Sequence, residues 1–104
     1  MHQNLYDRIV NYAKDIESDN PLPRFAKSWQ QDGLQTAREI YQHIKRSSGE
    51  TAEEIAVRLQ ISPEYAKQTI LALQNGGAKI AAVSEESVAN GRHKHRYFIE
   101  LDHD

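Results

Sequence analysis

The sequence predicts a mainly α-helical chain that ends in a small β-hairpin, which is an α+β fold. Apolar residues recur at helical spacing from Leu5 to Leu73, and capping signals mark the starts of two helices. The C-terminal part alternates between apolar and polar residues, as strands do. With 104 residues, of which 38% are hydrophobic, the chain is long enough to form one core without disulfides.

An N-terminal amphipathic helix is predicted from position 4 to 18. Its apolar residues recur at helical spacing: Leu5, Ile9, Tyr12 and Ile16. The segment 19–23 ends this helix, because its two prolines lack the amide donor that a helix needs. A short helical turn with Phe25 and Trp29 on one face is predicted next, and Asp32-Gly33 is predicted to end it. In this interpretation both aromatic residues belong to the core.

A second helix is predicted to begin near Leu34. Its apolar stripe consists of Leu34, Ala37, Ile40, Tyr41 and Ile44. The run from Thr36 to Glu39 has the spacing of a capping box, and Ser47-Ser48-Gly49 is predicted to end the helix.

Two shorter helices joined by a tight turn are predicted to follow. The first opens with the capping-box run from Thr51 to Glu54, and its predicted buried face consists of Ala52, Ile55, Ala56 and Leu59. Ser62 can cap the next helix, with Pro63 at the first helical position, where a missing N–H costs nothing. That helix is predicted to end at Asn75-Gly76-Gly77. Its predicted buried residues are Ala66, Thr69, Ile70 and Leu73.

The C-terminal segment predicts a β-hairpin. One strand is predicted over Lys79–Val83 and the other over His93–Leu101, with a polar loop over 84–91 between them. In the second strand Tyr97, Ile99 and Leu101 alternate with Arg96, Phe98 and Glu100.

Composition excludes several classes of function. Because the chain has no cysteine, it has no disulfide, thiolate metal site or cysteine nucleophile. No apolar run is long enough for a membrane helix or a signal peptide, so we expect a cytoplasmic protein with no membrane contact. His93 and His95 share one side of a strand, but two ligands do not make a metal site. Since no catalytic constellation is visible, we expect neither an enzyme nor a cofactor.

The order helix, helix, tight turn, helix, hairpin between Leu34 and Leu101 resembles the winged helix-turn-helix superfamily. Among its branches, the layout looks most similar to the small bacterial regulators of fimbrial operons. The positions that carry the resemblance are Ile55, Ala56, Leu59, Ile61, Ser62, Ala66 and Ile70. A small Ala56 lets the two helices cross at close range, and an apolar Ile61 anchors the turn in the core. The resemblance implies a winged helix-turn-helix domain over 34–104, preceded by a helical extension over 1–33.

The function that the resemblance implies is sequence-specific binding of double-stranded DNA by a transcriptional regulator. The recognition helix, 62–74, would enter the major groove, and the wing, 79–101, would contact the backbone. Glutamine pairs with adenine, lysine with guanine and glutamate with cytosine. The implied DNA contacts are Ser62, Pro63, Glu64, Lys67, Gln68 and Leu71 on the helix, and Arg92, Lys94 and Arg96 on the wing.

The charge distribution keeps other functions open. The net charge is −2, the pI is about 6.2, and Glu64, Glu85 and Glu86 are acidic residues near the implied DNA surface. These features favour an alternative in which the domain is a protein–protein interaction module. A replication or partition factor encoded by a phage or plasmid is a third hypothesis. The basic wing residues have an alternative role as charges that protect a strand edge from aggregation.

The N-terminal apolar stripe predicts an assembly. If the segment 34–101 closes its own core, the first helix must bury its apolar face elsewhere. That helix either folds back on its own domain or packs against its copy in a second chain with two-fold symmetry. We expect the homodimer, because operators are usually read by dimers.

Overall fold

The computed structural model describes residues 4–16, 28–86 and 93–100. They form a mainly helical fold with a small antiparallel sheet, which confirms the predicted α+β class. The elements, in chain order, are α1 (Leu5–Tyr12), a 3₁₀ turn (Ala13–Asp15), α2 (Ser28–Arg46), β1 (Glu50–Thr51), α3 (Ala52–Leu59), α4 (Pro63–Asn75), β2 (Ile80–Glu86) and β3 (His93–Ile99).

The core is one cluster to which all four helices and the sheet contribute. α2 lies at its centre and supplies four of the seven largest fully buried side chains. The seven are Leu34, Ile40, Tyr41, Ile44, Ile55, Ile70 and Leu73. Ile61 and Leu59 are partly buried against this cluster, so the predicted anchoring of the tight turn is confirmed.

The sheet has three strands in the order β1-β3-β2, with both pairs antiparallel. The predicted hairpin is confirmed, although β2 continues to Glu86 and β3 ends at Ile99. The additional strand β1 follows Gly49, whose φ of +90° favours glycine. The amide of Gly49 donates to the carbonyl of Tyr97 at 2.9 Å, so the chain joins β3 immediately after this turn.

The predicted helix starts at Thr51 and Ser62 are confirmed. The hydroxyl of Thr51 accepts from the amide of Glu54 at 3.2 Å, and the Glu54 carboxylate accepts from the amide of Thr51. The hydroxyl of Ser62 accepts from the amide of Tyr65 at 3.1 Å, and Pro63 is the first helical residue of α4. α4 ends as predicted at Asn75.

α2 shows that the predicted break at Asp32-Gly33 is wrong, because the helix continues from Ser28 to Arg46. The predicted capping box at Thr36 is wrong for the same reason. Thr36 lies inside the helix, where its hydroxyl donates to the carbonyl of Asp32 at 2.9 Å. Gly33 is buried, and a β-carbon there would lie 2.5 Å from Cδ2 of Leu5. This glycine therefore gives room to α1 and does not end a helix.

α1 packs against α4 and α2 of its own chain. Asn4 caps its N-terminus, accepting from the amide of Asp7 at 2.8 Å. The helix is shorter than predicted, because the 3₁₀ turn replaces it after Tyr12. Its buried residues are Ile9, Tyr12, Ala13 and Ile16. The fold-back arrangement is thus the one observed, and a dimer contact through this stripe is wrong, because the stripe is already covered. Segment 19–23 and Phe25 lie outside the described residues, and Trp29 belongs to the first turn of α2.

Candidate nucleic-acid interface

The turn between α3 and α4 fixes how α4 is presented. Gln60 reverses the chain in the left-handed conformation, with φ 58° and ψ 46°, although it is not glycine. The amide of Ile61 then donates to the carbonyl of Ala56 at 3.0 Å. Ala56 and Ala66 are both buried, and α3 packs against α4.

One face of α4 is exposed along its whole length. Ser62 and Pro63 are exposed at its start, where Ser62 serves as the cap. The exposed residues farther along α4 are here named the α4 stripe: Glu64, Lys67, Gln68, Leu71 and Asn75. All six helix residues predicted as DNA contacts are therefore exposed together at the start or on one face of α4. Leu71 is 51% exposed and supplies an apolar group to this face.

Asn75 is the member of the stripe that sequence reasoning missed. It lies four residues after Leu71 and so continues the exposed face, but its position before two glycines led to its interpretation as a helix end. Its side-chain amide nitrogen donates to the hydroxyl of Tyr6 on α1. This bond joins the end of α4 to the helix beside it.

α1 borders the α4 stripe on one side. Leu5, Tyr6 and Ile9 line a groove of about 110 Å³ together with Tyr65, Gln68 and Thr69. Farther along both helices, Gly76 faces the Val10 carbonyl and Ala13. The two helices therefore pack together both at this groove and at Gly76.

The three predicted wing cations have different positions. Arg96 lies on the central strand β3, opposite Thr51 of β1 and Val83 of β2, so it does not protect a strand edge. Its guanidinium donates to the carbonyl of Gly49 at 2.8 Å and lies 3.6 Å from the carboxylate of Glu54. Arg96 therefore connects the sheet to the start of α3.

The other two predicted wing cations are Lys94 and Arg92. Lys94 lies on β3 opposite Glu85. Arg92 lies outside the described residues.

A second charged cluster, which includes no residue of α4, consists of His43, Glu50 and Arg58. Glu50 is mostly buried, and its carboxylate lies 2.8 Å from Nε2 of His43 and 3.6 Å from Nε of Arg58. These contacts join the end of α2, β1 and α3.

Burial raises the pKa of the phenols of Tyr65 and Tyr97, and the charge of Asp32 adds to the effect at Tyr65. Both phenols are therefore uncharged at neutral pH, so neither adds charge to the surface. Tyr65 lines the same groove as Gln68.

Within residues 4–16, 28–86 and 93–100, no three His, Asp or Glu side chains are grouped so that they could hold a metal ion. In the same part of the chain, no helix combines the length and apolar character needed to cross a membrane.

The exposed groups of the α4 stripe are hydrogen-bond donors and acceptors, one cation, one anion and one leucine. These groups suit recognition of a partner surface.

Comparison of the chain with protein-family models, curated proteins and solved structures gives no match.

Proposed function

We propose that the chain from the start of α2 at Ser28 onwards forms a winged helix-turn-helix domain that binds double-stranded DNA sequence-specifically, and that the protein is a transcriptional regulator. The order of α2, α3, the tight turn, α4 and the β2–β3 hairpin supports this fold assignment. The pairing of β1 with β3 also supports it, because this pairing attaches the hairpin to the helices. In this proposal α4 is the recognition helix.

The observation that carries the proposal is the α4 stripe. Lys67 and Gln68 are adjacent and exposed on a helix whose opposite face is buried, so both can reach outwards together. A major groove about 12 Å wide admits one α-helix of roughly 10–12 Å diameter. Within it, Gln68 is suited to an adenine and Lys67 to a guanine, and Glu64 can accept from a cytosine amino group.

The charge of the protein limits how strongly DNA binding depends on salt. The proposed phosphate contacts are few, since Arg96 already binds the Gly49 carbonyl and the net charge is −2. With Arg92 and Lys94 as the cations that contact phosphates, the slope of log K against log salt is expected to be about −2 for each chain. A much steeper slope would indicate a larger basic surface than the one proposed.

Selection of binding sites from random duplex DNA tests the proposal. The double variant Lys67→Ala with Gln68→Ala is expected to lose site selection while its thermal midpoint stays within about 2–4 °C, because both side chains are exposed. The matched control, Gln42→Ala with Lys45→Ala on the exposed face of α2, is expected to keep the selected site. Equal loss of affinity for all sequences would contradict base reading and indicate electrostatic binding alone.

A second candidate function is a protein–protein interaction module. Exposed apolar side chains favour it: Leu71 on α4 is 51% exposed and Val57 on α3 is 78% exposed. Absence of binding to random duplex DNA at micromolar protein and about 50 mM salt would favour this candidate, since non-specific DNA binders reach roughly 10⁻⁴–10⁻⁶ M even at physiological salt.

We further propose that the protein binds its operator as a homodimer, since half-sites about 34–36 Å apart are usually read by two recognition helices. The contact must lie outside the apolar stripe of α1, which is buried within the chain. Sedimentation equilibrium on the operator complex is expected to give two chains per site. A single chain per site would contradict this part of the proposal.

A further inference from the structure

We infer that Asn75 is a base-reading residue that recognises an adenine in the major groove, and that Tyr6 of α1 is its positioning residue. This inference rests on the proposed DNA-binding function and extends the reading surface from Leu71 to the last residue of α4. It also gives α1 a part in recognition.

Asn75 and Tyr6 are joined across the contact between α4 and α1. Asn75 is exposed at the end of α4, and Tyr6 is 37% exposed on the neighbouring face of α1. The Asn75 amide nitrogen donates to the Tyr6 hydroxyl across the junction. Because α1 is held against Gly33 and Gly76 by close packing, the phenol is attached to a fixed support.

The side-chain amide of Asn75 has more hydrogen-bonding groups than the bond to Tyr6 uses. An asparagine side chain has two N–H donors and one carbonyl acceptor. One N–H of Asn75 is used by Tyr6, which leaves one N–H and the carbonyl. One donor and one acceptor are the set that binds N7 and the N6 amino group of adenine together.

The bond to Tyr6 also orients the side-chain amide of Asn75. An exposed amide that is free to rotate presents its donor and acceptor in either order, and fixing that order on binding costs entropy. The bond to Tyr6 directs the amide nitrogen of Asn75 towards α1 before DNA arrives. A preorganised pair discriminates better between bases than a mobile one.

Asn75 lies at the C-terminal end of the exposed face of α4. Gln68 and Asn75 are seven residues apart on one exposed face, a distance of roughly 10 Å along the helix axis. This distance corresponds to about three base-pair steps of 3.4 Å. The adenine read by Asn75 is therefore expected about three base pairs from the base read by Gln68. The groove shared by Tyr6 and Gln68 makes α1 continuous with this surface.

Base preferences measured position by position on the selected DNA site test the inference. The wild-type protein is expected to prefer adenine at this outer position by roughly tenfold, within the range that a bidentate pair supplies. Asn75→Ala is expected to abolish the preference at that position alone. Tyr6→Phe keeps the ring but removes the hydroxyl, so it is expected to reduce the preference severalfold at the same position, with little change in thermal midpoint.

Two further variants separate positioning from a structural role. In the Asn75→Ala background, Tyr6→Phe is expected to have no further effect, because the bond that it removes is already absent. Tyr65→Phe makes the same chemical change in the same groove and is expected to leave the adenine preference unchanged.

Three results would overturn the inference. They are an adenine preference that survives Asn75→Ala, a Tyr6→Phe effect that is equal at all positions, and effects of the two variants that add independently. Failure of the proposed function is distinguishable, because the wild-type protein would then select no DNA site at all. That result would overturn the inference together with the function.

Discussion

Replacing Gly76 with alanine tests the close packing of α1 against the end of α4. Gly76 has φ −85° and ψ −1°, a right-handed conformation that alanine can also adopt. If only the local backbone mattered, Gly76→Ala would stabilise the protein by about 0.4–1 kcal/mol, because alanine restricts the unfolded chain. A β-carbon at this position, however, would lie 2.6 Å from that of Ala13 and 2.9 Å from the Val10 carbonyl carbon, with the carbonyl oxygen closer still.

The size of the effect follows from which atoms are in the way. The Val10 carbonyl belongs to the backbone of α1 and cannot rotate aside, so α1 or the end of α4 must shift. Overpacking of this kind costs about 1–3 kcal/mol, and we take the upper value of about 3 because the obstructing atoms are backbone. After the local gain is subtracted, Gly76→Ala is expected to lose about 2 kcal/mol. The thermal midpoint is expected to fall by roughly 8–16 °C.

Thermal and urea unfolding followed by circular dichroism measure this loss. Gly77→Ala is the matched control, because Gly77 has φ +99° and an added β-carbon would have no atom within 4 Å. It is expected to lose about 1–2 kcal/mol through backbone strain alone. Asparagine tolerates a positive φ, so Gly77→Asn is expected to recover part of that loss, whereas Gly76→Asn recovers none. A Gly76→Ala protein as stable as the wild type, or more stable, would refute the packing argument.

Three further predictions concern contacts that the fold brings together. Gly33→Ala is expected to stabilise the protein by about 1 kcal/mol only in a Leu5→Ala background, because the higher helix propensity of alanine is then no longer opposed by the leucine methyls. Additive effects of the two substitutions in a double-mutant cycle would contradict this contact. Arg96→Ala is expected to lose about 1 kcal/mol in urea unfolding, because it removes a charged donor from the Gly49 carbonyl, whereas exposed Lys67→Ala stays within about 0.5 kcal/mol. Burial raises the pKa of Tyr12, so the stability that its neutral phenol provides is complete below pH 10 and is lost as the pH rises above 10. Tyr12→Phe is expected to reduce the loss of unfolding free energy at alkaline pH. An unchanged dependence of unfolding free energy on pH would contradict this prediction. Because the Tyr12 hydroxyl has no hydrogen-bond partner within the described residues, its removal is also expected to cost no stability at neutral pH.

The features that the sequence predicted correctly depend on neighbouring residues. The helix starts at Thr51 and Ser62 are set by hydrogen bonds that span three positions, so the local pattern contains the whole signal. The first four residues of the α4 stripe, from Glu64 to Leu71, were predictable for the same reason, since helical spacing alone separates the exposed face of α4 from its buried face.

The features that the sequence missed depend on distant residues. Gly33 looked like a helix end but lies inside α2, whereas Gly76 does follow the last residue of α4. The sequence did not show that both glycines give room to α1, because the position of α1 is set by tertiary packing. The partner of Asn75 lies 69 residues away in the sequence, and the carbonyl bound by Arg96 lies 47 residues away. Strand β1 has two residues, too few to show an alternating pattern.

A titration of ¹⁵N-labelled protein with its selected duplex, followed by NMR, tests the central claim that the α4 stripe faces DNA. The largest amide shifts are expected from Ser62 to Leu71 and at Asn75, with smaller shifts near Tyr6. Shifts concentrated instead on the exposed face of α2, around Gln42 and Lys45, would contradict the account, as would the absence of any shift at saturating DNA.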